Sequence, residues 1–77
     1  MGKPTRISNQ IRRLRFENGE MTQAELADRI GVTRQTVIAI EQARYSPSLE
    51  MAFQIAHAFN VTLDEVFQYQ EPEGATS

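Results

Sequence analysis

Apolar residues recur every three or four positions over most of the chain, which is the spacing of helices with one buried face. The pattern predicts five helices, the first from about residue 5 or 8 to residue 18 and the others beginning near residues 22, 33, 48 and 62. No segment alternates apolar and polar residues between hairpin turns, as strands would. The sequence therefore predicts an all-α fold, a compact five-helix bundle.

Residues that satisfy free backbone groups mark the helix boundaries. Thr22 and Glu25 have the spacing of a capping box, in which each side chain accepts a hydrogen bond from the other residue's backbone N–H. Thr33 is the expected N-cap of the third helix. Gly31 and Asn60 lie where the second and fourth helices should end, because these residue types adopt a left-handed backbone most readily.

The inward faces of the five helices predict the core. These apolar positions are Ile7, Ile11, Leu14, Ala24, Leu26, Ala27, Ile30, Val37, Ile40, Leu49, Ala52, Phe53, Ala56, Phe59, Leu63, Val66 and Phe67. Apolar residues near the end of the fifth helix, with Tyr69, exceed what one small core needs. They either close the core or form part of a self-association face.

A chain of 77 residues with 40% hydrophobic content has room for one core, so a single domain is expected over residues 1–70. The polar residues 71–77 are expected to be a disordered tail. The absence of cysteine excludes disulfides, thiolate metal sites and a catalytic thiol. His57 is the single histidine and has no second ligand at metal spacing, so no metal or cofactor is expected.

Neither a signal peptide nor an apolar run long enough to span a membrane is present in the sequence, which favours a cytoplasmic protein. No convergent cluster of polar residues suggests an enzyme.

Charge is distributed unevenly, although the formal net charge is only −2. Five acidic residues lie before position 45, and the remaining five lie after it, where no Lys or Arg occurs. All eight basic residues belong to the first part: Lys3, Arg6, Arg12, Arg13, Arg15, Arg29, Arg34 and Arg44. The asymmetry is compatible with a polyanion-binding half and an acidic half facing elsewhere, or with a solvated mixed surface.

The segment TQAELADRIGVTRQTVIAIE, beginning at residue 22, has the pattern of two short helices joined at Gly31. A helix pair of this kind is the frame of the helix-turn-helix, here residues 22–43, whose second helix enters the major groove of DNA. Arg34 and Gln35 are the types that bind guanine and adenine bidentately, and Ile38 can pack on a thymine methyl. The alternative is that the three are ordinary residues of a helix surface.

Several segments together resemble the XRE family, the helix-turn-helix group of the lambdoid phage Cro and repressor proteins. They are IRRLR from residue 11, TQAELA from 22, GVTRQTV from 31, IE at 40, YSPSL from 45 and VTLDEVF from 61. The resemblance covers residues 7 to 69. It implies a lambda-repressor-like fold, binding of double-stranded DNA as a two-fold homodimer in the prokaryotic cytoplasm, and transcriptional control, usually repression.

The resemblance also implies roles for individual residues. Base-reading positions are Arg34, Gln35, Ile38 and the more peripheral Ala39. Backbone-contacting positions are Arg12, Thr22, Gln23, Thr33, Thr36, Gln42 and Arg44. Arg15 and Glu41 match a buried ion pair that joins the first helix to the third, and removing one partner of such a pair is costly.

One departure from the family pattern concerns the end of the third helix, where Gln42 and Ala43 replace the usual Asn-Gly. Either the helix continues slightly or Ala43 adopts a strained left-handed backbone. A rival function is an antitoxin or adaptor that holds a basic protein partner through the acidic C-terminal half, with DNA binding secondary.

Overall fold

The computed structural model describes residues 6–69, and the predicted tail at 71–77 lies outside the described residues. Five helices are flanked by two short strands. In chain order the elements are β1 (Ile7–Asn9), α1 (Ile11–Glu17), α2 (Gln23–Ile30), α3 (Arg34–Glu41), α4 (Leu49–Phe59), α5 (Leu63–Val66) and β2 (Phe67–Tyr69). The predicted five-helix, lambda-repressor-like bundle is confirmed, with a small sheet added to it.

The two strands were not predicted, because every periodic segment of the sequence indicates a helix. β1 pairs with β2 in antiparallel register, with Ile7 opposite Tyr69 and Asn9 opposite Phe67. The first helix therefore begins at Ile11, after the strand, and not at residue 5 or 8. Three-residue strands are too short to show an alternating pattern, and their pairing partners lie at opposite ends of the chain.

Side chains from all five helices form one core. The residues buried in it are Ile11, Leu14, Met21, Leu26, Ala27, Ile30, Val37, Ile40, Ala52, Ile55, Ala56, Phe59 and Val66. Most were predicted from helical spacing. Met21 and Ile55 were not, although Met21 lies in the link before α2 and Ile55 occupies the centre of the buried stripe on α4.

Three predicted core positions are wrong. Leu49 is 68% exposed and Phe53 is 47% exposed, and Ala24 is also exposed. Leu49 and Phe53 lie on the flanks of the buried stripe of α4. That stripe consists of Ala52, Ile55, Ala56 and Phe59. Ile7 and Leu63 are half-buried at the edge of the core.

The predicted helix ends of α2 and α4 are confirmed. The Thr22 N–H donates to Glu25 Oε1 over 2.8 Å, and the Glu25 N–H donates to Thr22 Oγ1 over 3.0 Å, which completes the capping box. Gly31 ends α2 with φ of 75°, and Asn60 ends α4 with φ of 59°. Because these signals are local, α2 begins and ends where the sequence predicts.

Candidate nucleic-acid interface

Helices α2 and α3 pack against each other across the short turn of residues 31–33. Leu26 and Ile30 of α2 and Val37 and Ile40 of α3 are all buried, so the pair is held by one apolar seam. Gly31 makes the turn tight because it adopts a left-handed backbone without a Cβ penalty. The arrangement is a helix-turn-helix with the outer face of α3 free to contact another molecule.

The first turn of α3 presents polar side chains to solvent. Arg34 and Gln35 are exposed, and within residues 6–69 neither side chain has a hydrogen-bond partner. Ile38 and Ala39 are half-buried one turn further along, so Ile38 is less exposed than its place among polar residues suggested. An unpaired arginine and glutamine beside a partly exposed apolar side chain form a surface able to contact base edges.

Threonines organise the N-terminus of α3. The Thr36 N–H donates to Thr33 Oγ1 over 3.2 Å, and the two hydroxyl oxygens lie 3.1 Å apart. No acidic residue occupies the first turn. The partial positive charge of this helix end is therefore not offset by a carboxylate of its own first turn, unlike α2 with its Glu25.

The opposite end of α3 is anchored by an ion pair. Arg15 Nε lies 2.6 Å from Glu41 Oε2, and Arg15 Nη2 donates to Glu41 Oε1 over 3.3 Å. Arg15 also donates to the Met21 carbonyl, and Gln23 Nε2 donates to Glu41 Oε1 over 3.1 Å. The two charged side chains are only 15% and 9% exposed, so this network fixes α1, α2 and α3 relative to one another.

A polar groove runs between the start of α2 and the flank of α3. Its lining residues are Asn9, Arg12, Arg15, Thr22, Gln23, Ala24, Arg34, Glu41 and Gln42. Within residues 6–69, neither Arg12 nor Arg34 has an ion-pair partner, whereas the Glu41 carboxylate is neutralised by Arg15. The groove therefore carries uncompensated positive charge suited to a polyanion.

This groove brings together five residues predicted for DNA contact with the predicted ion pair. Those five are Arg12, Thr22, Gln23, Arg34 and Gln42. The other predicted positions lie outside it, on α3 or beyond its ends: Thr33, Gln35, Thr36, Ile38, Ala39 and Arg44. Asn9 also lines the groove and was not predicted, because it lies in β1, a strand that helical periodicity does not reveal.

Ala43 adopts the left-handed backbone, with φ of 58°. α3 ends at Glu41, and the Ala43 and Arg44 N–H groups donate to the carbonyls of Ile40 and Ala39, each over 3.0 Å. This pair of bonds is a Schellman motif, which usually employs glycine at the left-handed residue. The sequence left two possibilities at this position. The structure shows that the helix does not continue and that Ala43 adopts the strained left-handed backbone.

Other candidate chemistry is weak. His57 is exposed, and residues 6–69 contain no cluster of histidine and carboxylate side chains that could hold a metal ion. Over the same residues, no helix has the length and apolar content to cross a membrane.

Comparison with known proteins identifies the family. The helix-turn-helix family model HTH_3 matches residues 11–66, which include the helix pair and every residue that lines the groove except Asn9. The chain belongs to this family of XRE-type helix-turn-helix proteins. Its members are DNA-binding transcriptional regulators and not enzymes.

Relatives and a solved structure agree with this membership. The chain is 49% identical over 53 residues to the uncharacterized HTH-type transcriptional regulator MJ0272 of Methanocaldococcus jannaschii, covering 69% of this chain and 80% of the relative. It is 36% identical over 65 residues to the cryptic phage CTXphi transcriptional repressor RstR of Vibrio cholerae, covering 84% of this chain and 58% of RstR. A crystal structure from Bacteroides fragilis has the same fold, with a TM-score of 0.70 at 22% identity over 80% of this chain and 98% of that one.

Proposed function

We propose that the protein reads a specific sequence of double-stranded DNA with the first two turns of α3. The observation that carries the proposal is that the side chains of Arg34 and Gln35 are exposed and have no partner within residues 6–69, on a helix anchored at its other end. Arginine can donate to guanine O6 and N7, and glutamine can pair with adenine N6 and N7. Ile38 and Ala39 follow on the same helix, where Ile38 would pack on a thymine methyl.

Contacts to the DNA backbone would position this helix without reading sequence. Arg12, Thr22, Gln23 and Gln42 line the basic groove, and Thr33, Thr36 and Arg44 lie at the two ends of α3. The proposed role of Gln23 is supported by its bond to Glu41, because a glutamine held by the ion pair can offer its remaining amide donor to a phosphate.

A homodimer would place two copies of α3 in successive major grooves about 34 Å apart. An apolar groove is lined by Ile7, Ser46, Pro47, Leu49, Ala52, Leu63 and Phe67, none of them charged. A second copy is the occupant we propose. A two-fold dimer uses the same surface of both copies, so this uncharged groove could be buried against its counterpart in a second copy.

Repression is the regulatory outcome we propose, acting in the cytoplasm of a prokaryotic cell. A dimer spanning two major grooves would occlude promoter DNA that overlaps its operator. The relative RstR, which is named as a transcriptional repressor, supports this direction of control.

Selection from random duplex DNA tests base reading directly. We expect the full chain to enrich a palindrome with half-sites one helical turn apart, and Arg34→Ala to relax one position in each half-site. Arg29→Ala is the matched control, because Arg29 is an exposed arginine on α2 away from the groove of α3. Failure of the wild type to enrich any sequence would overturn the proposal.

Light scattering on the purified chain tests the dimer. Leu49→Asp should convert the protein to a monomer, because it places a charge in the apolar groove. Phe53→Asp is the control, since Phe53 is a comparably exposed apolar residue of α4 outside that groove. A monomeric wild type at micromolar concentration would contradict the proposed dimer.

A further inference from the structure

Asn9 joins three separate elements of the fold. It is the last residue of β1, and its Cα is paired with Phe67 of β2. Its side-chain oxygen accepts from the Ile11 N–H over 3.2 Å, at the start of α1. Its side-chain amide donates to the Ile40 carbonyl over 2.8 Å, in the last turn of α3. Both polar ends of one half-buried side chain are therefore in use.

The Ile40 carbonyl belongs to the end of α3, where carbonyls lack partners within the helix. It accepts from the Ala43 N–H as well as from Asn9. Thr33 caps the first turn of α3, and within residues 6–69 Asn9 is the residue from another element whose side chain binds a backbone group of α3. The ion pair of Glu41 with Arg15 holds the same helix end through side chains alone.

The strand that carries Asn9 also reaches the apolar groove. Phe67, which pairs with Asn9 in the sheet, lines that groove, and so does Ile7 at the other end of β1. The Gln10 N–H donates to the Val66 carbonyl over 2.8 Å, which keeps the strand pair against α5. A displacement of the strand pair would thus move Asn9, and Asn9 would move the end of α3.

We propose that Asn9 is a positioning residue for DNA recognition, which sets the orientation of α3 and connects it to the strand pair at the apolar groove. The inference rests on the proposed function, because α3 must read bases for its orientation to matter. The ion pair holds this helix end through the Glu41 side chain, and the Asn9 amide holds it through the backbone carbonyl of Ile40, which restricts its direction. A shift of about 1 Å at the far end of an anchored helix is enough to misalign bidentate base contacts.

The informative variant is Asn9→Ser. A serine hydroxyl can still accept from the Ile11 N–H in a local turn, but it is too short to replace the amide donor to Ile40. It adds no charge to the basic groove that Asn9 also lines. Ser8→Ala is the matched control in the same strand, because the Ser8 hydroxyl donates to the Gln68 carbonyl and, within residues 6–69, has no hydrogen bond to α3.

The measurement is the ratio of affinity for the selected duplex to affinity for a random duplex, at one salt concentration. We expect Asn9→Ser to lower this ratio about tenfold, equivalent to about 1.4 kcal/mol, with a urea midpoint close to that of Ser8→Ala. Ser8→Ala should keep the wild-type ratio. An unchanged ratio in Asn9→Ser, with or without loss of stability, would overturn the inference while leaving base reading by α3 intact.

A readout without DNA separates this inference from the proposed function. Hydrogen exchange at the Ala43 and Arg44 amides reports the end of α3, because both donate to carbonyls of that helix. Exchange there should accelerate in Asn9→Ser and stay at the wild-type rate in Ser8→Ala. Equal exchange rates in the two variants would show that Asn9 does not hold the end of α3. That result would overturn the inference whether or not the wild type selects a DNA sequence.

Discussion

The two ends of α3 are built in opposite ways. At the first turn, Arg34 and Gln35 are exposed and without hydrogen-bond partners among residues 6–69. At the last turn, Glu41 is held by Arg15 and Gln23, and the Ile40 carbonyl is held by Asn9. One helix of eight residues thus has a free end and an anchored end.

The two ends of α3 therefore have different roles: the first turn offers side chains for binding, and the last turn positions the helix. Side chains that meet a ligand must have unused donors and acceptors before the ligand arrives. The helix that carries them must nevertheless be held rigidly, since misplacement reduces every contact at once. Removal of the ion pair at the anchored end should therefore change stability most, and substitutions of the exposed side chains at the free end should change binding alone.

The largest expected effect is at the anchored end. Glu41→Ala should lower the free energy of unfolding by about 3 kcal/mol, because it leaves the little-exposed Arg15 guanidinium without its carboxylate. Chemical denaturation at one fixed protein concentration measures this, since self-association would otherwise alter the apparent stability. Arg13 and Glu17 form the matched exposed pair, at 3.6 Å and more than half exposed. Glu17→Ala should cost less than about 1 kcal/mol, and equal losses in the two variants would contradict the buried anchor.

At the free end the expected effect is on DNA alone. Arg34→Ala should weaken binding to the selected duplex by about 1 to 3 kcal/mol while leaving the free energy of unfolding within about 0.5 kcal/mol of wild type. Titration of a labelled duplex measures the binding free energy, and urea denaturation measures the free energy of unfolding. A substantial loss of stability would show that Arg34 has a structural role that its lack of partners does not suggest.

Helix ends and the frame of α2 and α3 were predictable from the sequence because their signals are local. Thr22 and Glu25 are three residues apart, and Gly31 adjoins the helix that it ends. The strand pair was not predictable, since Ile7 and Tyr69 are brought together only by the folded bundle. Asn9 was missed for the same reason, because its partner is a backbone carbonyl 31 residues away.

Core positions on α4 show a second limit. Leu49 and Phe53 recur at helical spacing with residues that are buried, yet both are exposed. An apolar stripe wider than the buried one fits several helix rotations equally well. The choice among them depends on what packs against the helix, and here an apolar groove beside Leu49 remains uncovered in the single chain.

A smaller effect is expected where the chain leaves α3. Arg44 is exposed just beyond the helix end, so Arg44→Ala should weaken binding to selected and random duplexes alike. The slope of the logarithm of the binding constant against the logarithm of salt concentration should fall in magnitude by about 1. Affinities at four salt concentrations measure it. Loss confined to the selected duplex would instead place Arg44 among the base-reading residues.

The smallest expected effect compares the ends of the two helices of the helix-turn-helix. The left-handed residue that follows α2 is Gly31, with φ of 75°, whereas the left-handed residue that follows α3 is Ala43, with φ of 58°. A left-handed backbone is costly for alanine and not for glycine, so Ala43→Gly should raise the free energy of unfolding by about 0.5 to 1 kcal/mol. Gly31→Ala should lower it by a similar amount, because no neighbouring atom lies within 4 Å of the added Cβ and the backbone alone is strained. Urea denaturation of both variants measures these two changes in the free energy of unfolding. A lower free energy of unfolding in Ala43→Gly would mean that packing of the Ala43 Cβ outweighs the strain of its backbone. The end of α3 would then depend on this packing as well as on the contacts of Glu41 and Asn9.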